Sequence, residues 1–154
     1  MIPRHYRAPE VILGMDWSFP IDEWSIGCIL VEFYTGKTLF QTHDNLEHLA
    51  IIQASIGSIP ENMILLRYLK FSINANRSEQ AQSWFINNSI LDYPNSSSTA
   101  SSIKYTSRIK PLSDVIPTQF SSQVDFLDLV LALLAIDPFK RITDSQALKL
   151  PFCK

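Results

Sequence analysis

The segment DEWSIGCILVEFYTGKTLF, residues 22–40, constrains the fold of this chain more than any other. Two carboxylates, Asp22 and Glu23, come directly before a run that is almost wholly apolar and that Gly36 ends. A helix that is apolar over most of its circumference is a buried one, so the sequence predicts a central buried helix. An ionised carboxylate taken out of water needs partners, so we expect hydrogen-bond donors beside this helix end. The apolar residues of the run are Ile26, Ile29, Leu30, Val31, Phe33 and Tyr34.

A second helix is predicted from about Asp44 to Ile56. Asp44 can accept a hydrogen bond as its N-cap, Glu47 stands three residues later as in a capping box, and Gly57 ends the segment. The apolar residues recur at spacings of three and four, which is the pattern of one helix face: Leu46, Leu49, Ile52 and Ile56.

Two more helices are predicted near the C-terminus. One begins at about Ser121 and ends at Pro138, because proline cannot continue a helix. A short last helix begins at Thr143, with Gln146 placed to complete a capping box. The longer helix presents a broad apolar stripe: Val124, Leu127, Val130, Leu131 and Leu134.

The stretch between these helical parts, about residues 62–118, has a different composition. It is rich in serine and asparagine and carries six basic against three acidic residues, which we interpret as a solvated polar insert. No alternating strand pattern stands out, so the fold class is predicted to be mainly α. Part of the insert should be anchored to the core by Trp84, Phe85, Ile90, Leu91 and Tyr93.

Charge and cysteine content exclude several classes of function. A net charge of −2 gives no electrostatic reason to bind nucleic acid or a membrane surface. No apolar run reaches the length of a membrane span. The N-terminus lacks an apolar signal-peptide core, so we expect a cytoplasmic or nuclear protein. Cys28 and Cys153 form no C-x-x-C pair, and no metal site is predicted.

Three motifs in one order carry a resemblance to a known family. They are YRAPEVILG at 6–14, DEWSIG at 22–27 and DPFKRIT at 137–143. Together they resemble the C-terminal half of a eukaryotic protein kinase catalytic domain. The resemblance implies that residues 1–154 form the C-terminal lobe of a kinase-like fold, from the end of the activation segment onward. The N-terminal lobe and the catalytic loop are absent from this sequence, so the domain is expected to be partial.

A closer resemblance is to the LAMMER, or CLK-like, kinases. Their name-giving run is close to EHLAMMERILGPIP, and this chain has EHLAIIQASIGSIP at 47–60. Ile51 and Ile52 keep an apolar face, whereas Gln53 and Ala54 remove a pair of charges. The fold expectation is unaffected by this change, but regulation or partner contacts through the motif are expected to differ.

The resemblance implies roles for several residues. Arg4, His5, Tyr6 and Arg7 match the family's substrate-binding loop; the alternative is that they only pack locally. Glu10 and Arg141 are expected to form a buried ion pair, and Trp24 and Gly27 to belong to the structural core. Asp22 is expected to accept hydrogen bonds from backbone N–H groups of the catalytic loop. The alternative for Asp22 is that it caps its own helix.

The groups that perform phosphoryl transfer do not occur in this sequence. None of the four glycines makes G-x-G-x-x-G, and neither H-R-D nor D-F-G occurs. We therefore predict no catalytic residue and no bound cofactor, whereas complete family members use ATP and Mg²⁺. The predicted function is part of a LAMMER-type serine/threonine kinase, inactive by itself. The alternative is a non-catalytic module that binds a substrate or a kinase.

The resemblance also suggests partners and a location. Partners are expected to be protein substrates, and family resemblance points to serine/arginine-rich splicing factors. The same resemblance favours the nucleus over the cytoplasm.

Overall fold

The computed structural model describes residues 3–73, 84–87 and 89–154, with the backbone alone described at 70–73. The described part is rich in helix, as predicted, and its short 3-10 turns lie at Arg4–Tyr6 and Pro151–Cys153. Its helices and strands, in chain order, are α1 (Pro9–Ile12), α2 (Pro20–Thr35), α3 (Asn45–Ser55), α4 (Glu61–Ile73), β1 (Phe85–Ile86), β2 (Ile90–Leu91), α5 (Ala100–Thr106), α6 (Leu112–Val115), α7 (Ser121–Leu133) and α8 (Asp144–Ala147).

The core is built on the pairing of α2 with α7. Trp24, Cys28 and Val31 are buried on the inward face of α2, about one helical turn apart. Gly27 lies on the side that α7 approaches, and a Cβ atom there would be 2.8 Å from side-chain atoms of Leu134. The glycine therefore allows the two helices to pack closely. At the other end of α2, Gly36 ends the helix in the left-handed conformation (φ 69°), as predicted.

The prediction that α2 is buried all round is wrong. Phe33 is 81% exposed and Ile26 is 42% exposed, on the face opposite the core. Apolar composition identified a helix that contacts a core, but it could not show how many sides the neighbouring elements cover. The consequence is a helix with one closed face and one open apolar face.

Helix α3 begins and ends as predicted. The Asp44 carboxylate accepts a hydrogen bond from the Glu47 N–H (2.8 Å), and the helix ends just before Gly57. The reciprocal bond of a capping box is replaced, because the Glu47 carboxylate accepts from the N–H of His43 (3.0 Å) rather than from that of Asp44. Ile51 and Ile52 are fully buried, as the altered LAMMER run predicted.

The predicted polar insert contains more regular structure than expected. Helices α4, α5 and α6 and an antiparallel pair of two-residue strands all fall inside or across it, with Phe85 opposite Leu91. Phe85 and Leu91 anchor the strands in the core as predicted, but Ile90 is 63% exposed, so its predicted burial is wrong. Part of the serine-rich stretch, residues 74–83 and 88, lies outside the described residues.

Helix α4 joins the insert to the rest of the fold through Arg67. This side chain is buried, donates to the carbonyl of Leu13 (2.9 Å) and lies 4.3 Å from the ring centroid of Trp84. The inward face of α4 is thus partly built from an arginine, which an apolar-periodicity search does not detect.

The C-terminal helices agree with the sequence in type but not in every boundary. Helix α7 ends at Leu133, a few residues before Pro138, and Leu127 and Val130 are buried while Val124 and Leu131 are partly exposed. The Thr143 N–H donates to the Gln146 side chain (3.0 Å) at the start of α8, as predicted. Within the described residues, no helix combines the length and apolar character needed to cross a bilayer.

The contact between Gly27 and α7 generates a stability prediction. We expect Gly27→Ala to lower the free energy of unfolding by about 1–2 kcal/mol, because overpacking outweighs the better helix propensity of alanine. Urea unfolding followed by circular dichroism measures the change. Gly36→Asn is the control, since asparagine tolerates the left-handed conformation and no heavy atom lies within 4 Å of a Cβ there. A Gly27→Ala chain as stable as the parent would contradict the close α2–α7 approach.

Candidate functional site

A buried ion pair closes one end of the molecule. The Arg141 guanidinium donates to both carboxylate oxygens of Glu10, at 2.7 and 3.0 Å, and both side chains are almost fully buried. The bidentate geometry is the strong form of this interaction. The contact predicted between these two residues is therefore present, and it joins α1 to the segment that follows α7.

The remaining donors of Arg141 are also satisfied. Its Nε–H donates to the Ala135 carbonyl (3.0 Å), and its terminal nitrogens donate to the carbonyls of Pro20 (2.6 Å) and Ile136 (3.3 Å). Together with the two bonds to Glu10, the five N–H donors of the guanidinium have five acceptors. A charge in this position is stable because none of its hydrogen-bonding capacity is lost on burial.

Trp24 packs against the ion pair from α2. Its ring centroid lies 5.1 Å from the guanidinium carbon of Arg141 and 5.7 Å from the ring of Phe40. Trp24 is fully buried, so the aromatic faces exclude water from the ion pair. The predicted core residues Trp24 and Gly27 are both buried in the structure.

The loop Arg4–Arg7 is held against α2 and α3 by side-chain contacts. Arg4 donates to the Asn45 side chain (3.1 Å), and a ring nitrogen of His5 lies 3.0 Å from the Phe40 carbonyl oxygen. The Tyr6 hydroxyl donates to Glu32 (2.7 Å), and this hydrogen bond raises the pKa of Tyr6. Three of the four predicted substrate-loop residues therefore have contacts within the fold, and local packing accounts for at least part of their role.

Arg7 instead lines an open cleft of about 830 Å³. The cleft lies between Arg7 and α1 on one side and the loop and first turn of α2 on the other, and its wall is mainly apolar. Trp17 and Phe19 on its rim are 64% and 82% exposed. Its lining residues are Arg7, Val11, Trp17, Ser18, Phe19, Ile21 and Asp22.

Asp22 lies at this cleft, and it does not cap its own helix. Helix α2 begins at Pro20 after Phe19, without a side-chain capping bond, and Asp22 lies exposed in the first turn. The alternative that Asp22 caps its own helix is thus wrong for the hydrogen bond, but Asp22 does lie at the positive end of the helix dipole, as that alternative held. An exposed carboxylate near the positive end of a helix is stabilised without leaving water.

The buried acid at the head of α2 is the adjacent residue, Glu23. It is 7% exposed, and its Oε2 atom has no hydrogen-bond partner in the described part of the chain. The sequence placed two carboxylates here but favoured Asp22 as the one leading into the core. Helical phase decides the matter: Glu23 lies about 100° around the helix from Asp22, next to the face that meets α7.

Sequence reasoning also missed His48. The imidazole is fully buried, packs 5.5 Å from the Phe40 ring, and neither ring nitrogen has a partner among the described residues. Burial, and then the positive charges of Arg7, Arg4 and His5, lower the pKa of His48 to about 3. The ring is therefore neutral at physiological pH. The EHLA run contained this histidine, but apolar neighbours gave no sign that its nitrogens lack partners.

A polar network joins α3 to the insert. The buried carboxylate of Glu47 accepts from Ser102 (2.8 Å) and Thr42 (3.0 Å) as well as from the backbone of His43. Burial acts to raise the pKa of Glu47, but these hydrogen bonds outweigh it and hold the pKa below its ordinary value.

Across the described residues, no three His, Cys, Asp or Glu side chains are placed to hold a metal ion.

Comparison with known proteins identifies the family that these features belong to. The protein kinase domain family matches residues 1–153. The chain belongs to the protein kinase family.

Its relatives among the kinases are of the CLK and AFC type. The chain is 42% identical to serine/threonine-protein kinase AFC3 of Arabidopsis thaliana over 152 residues, covering 98% of this chain and 36% of that protein. It is 42% identical to the human dual specificity protein kinase CLK4 over 149 residues, covering 97% of this chain and 28% of CLK4. The resemblance to LAMMER-type kinases is confirmed. The chain spans about a third or less of these relatives.

A solved structure supports the fold. The chain matches the crystal structure of a kinase domain with a TM-score of 0.80 and 34% identity, over 99% of this chain and 41% of that one. The helix-rich arrangement with its small antiparallel sheet is therefore a protein kinase fold. In this kinase chain, the Glu10–Arg141 pair lies between the YRAPE segment and the DPFKR segment that first indicated the family.

The ion pair predicts a large loss of stability when one partner is removed. Arg141→Ala or Glu10→Ala leaves one buried charge unpaired, and each should cost about 3–5 kcal/mol in urea unfolding. Replacing both by apolar residues of similar size, Glu10→Leu with Arg141→Met, should cost far less. Lys140→Ala, at an exposed neighbour, is the control. Single losses below about 1 kcal/mol that simply add would place both charges at the surface.

His48 predicts a pH dependence of stability. Below pH 6.5 the unfolded chain binds a proton on this imidazole, whereas the folded chain does not until about pH 3. Stability therefore falls as the pH falls through this window, by up to about 1.4 kcal/mol per pH unit. Glu47 adds to the loss only below its ordinary value of 4.5. Urea unfolding at pH 7, 6 and 5 should show a shallower slope for His48→Leu than for the parent. Equal slopes for the two chains would contradict the burial of a neutral His48.

Proposed function

We propose that these 154 residues are the substrate-side part of a LAMMER-type protein kinase that transfers the γ-phosphoryl group of ATP to serine or threonine in proteins. We also propose that the chain alone does not catalyse this transfer. The observation that carries the proposal is the bidentate contact between Glu10 and Arg141. It fixes the YRAPE segment on the helical body, so that the loop before it is presented on a rigid support.

The chemistry of phosphoryl transfer supports the second half of the proposal. The transition state is stabilised by well-positioned phosphates, by metal ions and by a catalytic aspartate. In protein kinases, a glycine-rich loop, a strand lysine and the D-F-G motif hold most of these groups in place. The sequence contains none of those segments. ATP and Mg²⁺ would therefore be held by another part of the complete protein.

The open cleft at Arg7 supports the docking of this ATP-binding part. The cleft lined by Arg7 and Asp22 presents one cation and one carboxylate around an apolar floor. By family resemblance, Asp22 would accept hydrogen bonds from the backbone of the catalytic loop there. A carboxylate bound by backbone N–H groups is a stable way to hold such a loop.

The support for a substrate class is the similarity to protein kinases, because the geometry of the Arg4–Arg7 loop does not identify a substrate. We propose protein substrates, with serine/arginine-rich splicing factors and a nuclear location as the family-based choice. Arg7 is the residue of the Arg4–Arg7 loop best placed to meet a bound segment, because it lines the cleft.

A second candidate function is a non-catalytic module that binds a substrate or another kinase. The exposed rings of Trp17 and Phe19 on the cleft rim favour it, since exposed aromatic residues around an apolar cleft are typical of binding surfaces. The two candidates differ in whether the lobe can support catalysis once the missing groups are supplied.

The proposal predicts inactivity of the chain and activity of a completed domain. The purified chain should give no heat on titration with Mg-ATP and no phosphate transfer to a serine/arginine peptide. A chimera that joins the part of human CLK4 preceding the matched region to this chain should phosphorylate the same peptide. The intact CLK4 catalytic domain is the control.

Two results would count against the proposal. Saturable binding of Mg-ATP to the chain alone would show a nucleotide site within these residues. A chimera that folds and binds ATP but transfers no phosphate would favour the non-catalytic module.

A further inference from the structure

Helix α5 rests on α3 with little apolar support. None of its seven residues is buried, and its large apolar side chains Ile103 and Tyr105 are 38% and 36% exposed. Two open clefts, of about 420 and 400 Å³, lie along the boundary between the two helices. A helix of this length is not stable by itself in water. The contacts of α5 with its neighbours therefore hold it in place.

The hydroxyl group of Ser102 makes the central contact between α5 and α3. It donates to Oε1 of Glu47 on α3 (2.8 Å) and lies 2.7 Å from the hydroxyl of Tyr93. The Tyr93 hydroxyl lies 2.9 Å from that of Thr106, and Thr42 donates to Oε2 of Glu47 (3.0 Å). Ser102 is thus the middle of a chain of polar contacts that joins the end of the small sheet, α5 and α3.

The acceptor of the Ser102 bond is a buried carboxylate. Glu47 is 4% exposed, and an ionised carboxylate can only accept hydrogen bonds, so the group opposite it must be a donor. Among the described residues that line the cleft at this point, none is lysine or arginine, and His43 alone can carry a positive charge. A second anion at the position of the Ser102 hydroxyl would therefore face Glu47 without a strong cation nearby.

The Ser102 side chain can be reached from solvent. It lines the cleft of about 420 Å³ and is half-buried. Local opening of a weakly held helix exposes such a side chain further. Lys104 and Arg108 follow Ser102 in the chain, and both are exposed. The segment therefore offers a modifying enzyme an accessible serine in basic surroundings.

We propose that Ser102 is a phosphorylation site and that its phosphate releases α5 from α3. In this step, the Ser102 oxygen attacks the γ-phosphorus of ATP held by a separate serine/threonine kinase. The bond between that phosphorus and the β–γ bridging oxygen breaks, and ADP leaves. The hydroxyl proton passes to a base of the modifying kinase. The product has lost its donor hydrogen and has gained almost two negative charges.

Repulsion between the phosphate and Glu47 is the cause of release. A phosphate beside an acidic side chain disrupts the local contact by like-charge repulsion. The same charge near the start of α5 favours the helix itself, so a loss of α5 reports the broken contact with α3. Release uncovers the part of the altered LAMMER run that α5 borders, at Ala50, Gln53 and Ala54.

This site goes beyond the proposed function and does not depend on it, because the chain is here the substrate and not the enzyme. The first test incubates the chain with Mg-ATP and the catalytic domain of human CLK4, and maps phosphate by peptide mass spectrometry. We expect phosphate on Ser102. Its absence, while a serine/arginine peptide in the same reaction is fully modified, would overturn the assignment of the site.

Hydrogen exchange tests the release. The amides of Ile103 and Ser107 donate within α5 and its N-terminal cap and report whether the helix is in place. In the phosphorylated chain and in Ser102→Glu, we expect them to exchange faster by about tenfold or more, because a bond to a charged group is lost and a repulsion is added. Ser102→Ala loses the bond alone and should show a smaller increase. Central α2 amides should keep the protection of the parent.

Two variants separate repulsion by Glu47 from a general effect of added charge. Ser101→Glu is the matched control, since Ser101 is exposed in the same helical turn and its hydroxyl contacts Thr99 rather than Glu47. It should stay within about twofold of the parent, as expected for an exposed surface change. Adding Glu47→Gln to Ser102→Glu removes one of the two like charges and should restore most of the protection.

Three results would overturn the release. The first is equal α5 protection in the parent, the phosphorylated chain and Ser102→Glu. The second is an equal loss in Ser101→Glu, or a loss that Glu47→Gln does not reduce, since Glu47 would then not be the group that the phosphate repels. The third is a loss that spreads equally to α2, which would mean that the whole chain unfolds.

Discussion

The structure depends on one buried charge pair, Glu10 with Arg141. The two residues lie 131 positions apart in sequence, so their contact joins the first helix to the last part of the fold. Removing two charges from water costs several kcal/mol each, and a buried pair is stable only when its other hydrogen bonds are also made. The five acceptors around Arg141 meet that condition. Backbone carbonyls of Pro20, Ala135 and Ile136 supply three of them, so the ion pair also fixes the start of α2 and the end of α7.

The open and closed surfaces of the structure follow from the position of this ion pair. With α1 fixed, the Arg4–Arg7 loop rests on α2 and α3, and the cleft at Arg7 lies beside the first turn of α2. The inward face of α2 is filled by Trp24 and packed against α7, while the outward face stays apolar and exposed. The chain therefore has one closed, packed side and one open side with an exposed apolar surface. The proposed docking of an ATP-binding part uses the open side.

The sequence predicts those features of the fold that depend on contacts between residues close together in the chain. Three helix ends were predicted correctly, because the residues that mark them act through local backbone contacts: Asp44, Gly36 and the Thr143–Gln146 pair. The Glu10–Arg141 contact was found only through family resemblance, because nothing local links residues so far apart.

The misses arise where tertiary packing decides. The inward face of α4 uses Arg67, and the two-residue strands are too short to show an alternating pattern. The choice between Asp22 and Glu23 as the buried acid depends on helical phase relative to α7. That phase is set by the packing of Gly27 on Leu134 and not by the acids themselves.

Native-state hydrogen exchange tests the central claim most directly. If the ion pair makes α1 part of the same cooperative unit as α2 and α7, the amides of Leu13 and Met15 should exchange only through global unfolding of the chain. These amides donate to the carbonyls of Pro9 and Glu10 at 2.8 and 2.9 Å. Their protection should therefore equal that of the central amides of α2. Exchange of Leu13 and Met15 many times faster than that of α2 would show that α1 opens independently, and that the Glu10–Arg141 pair does not hold the fold together.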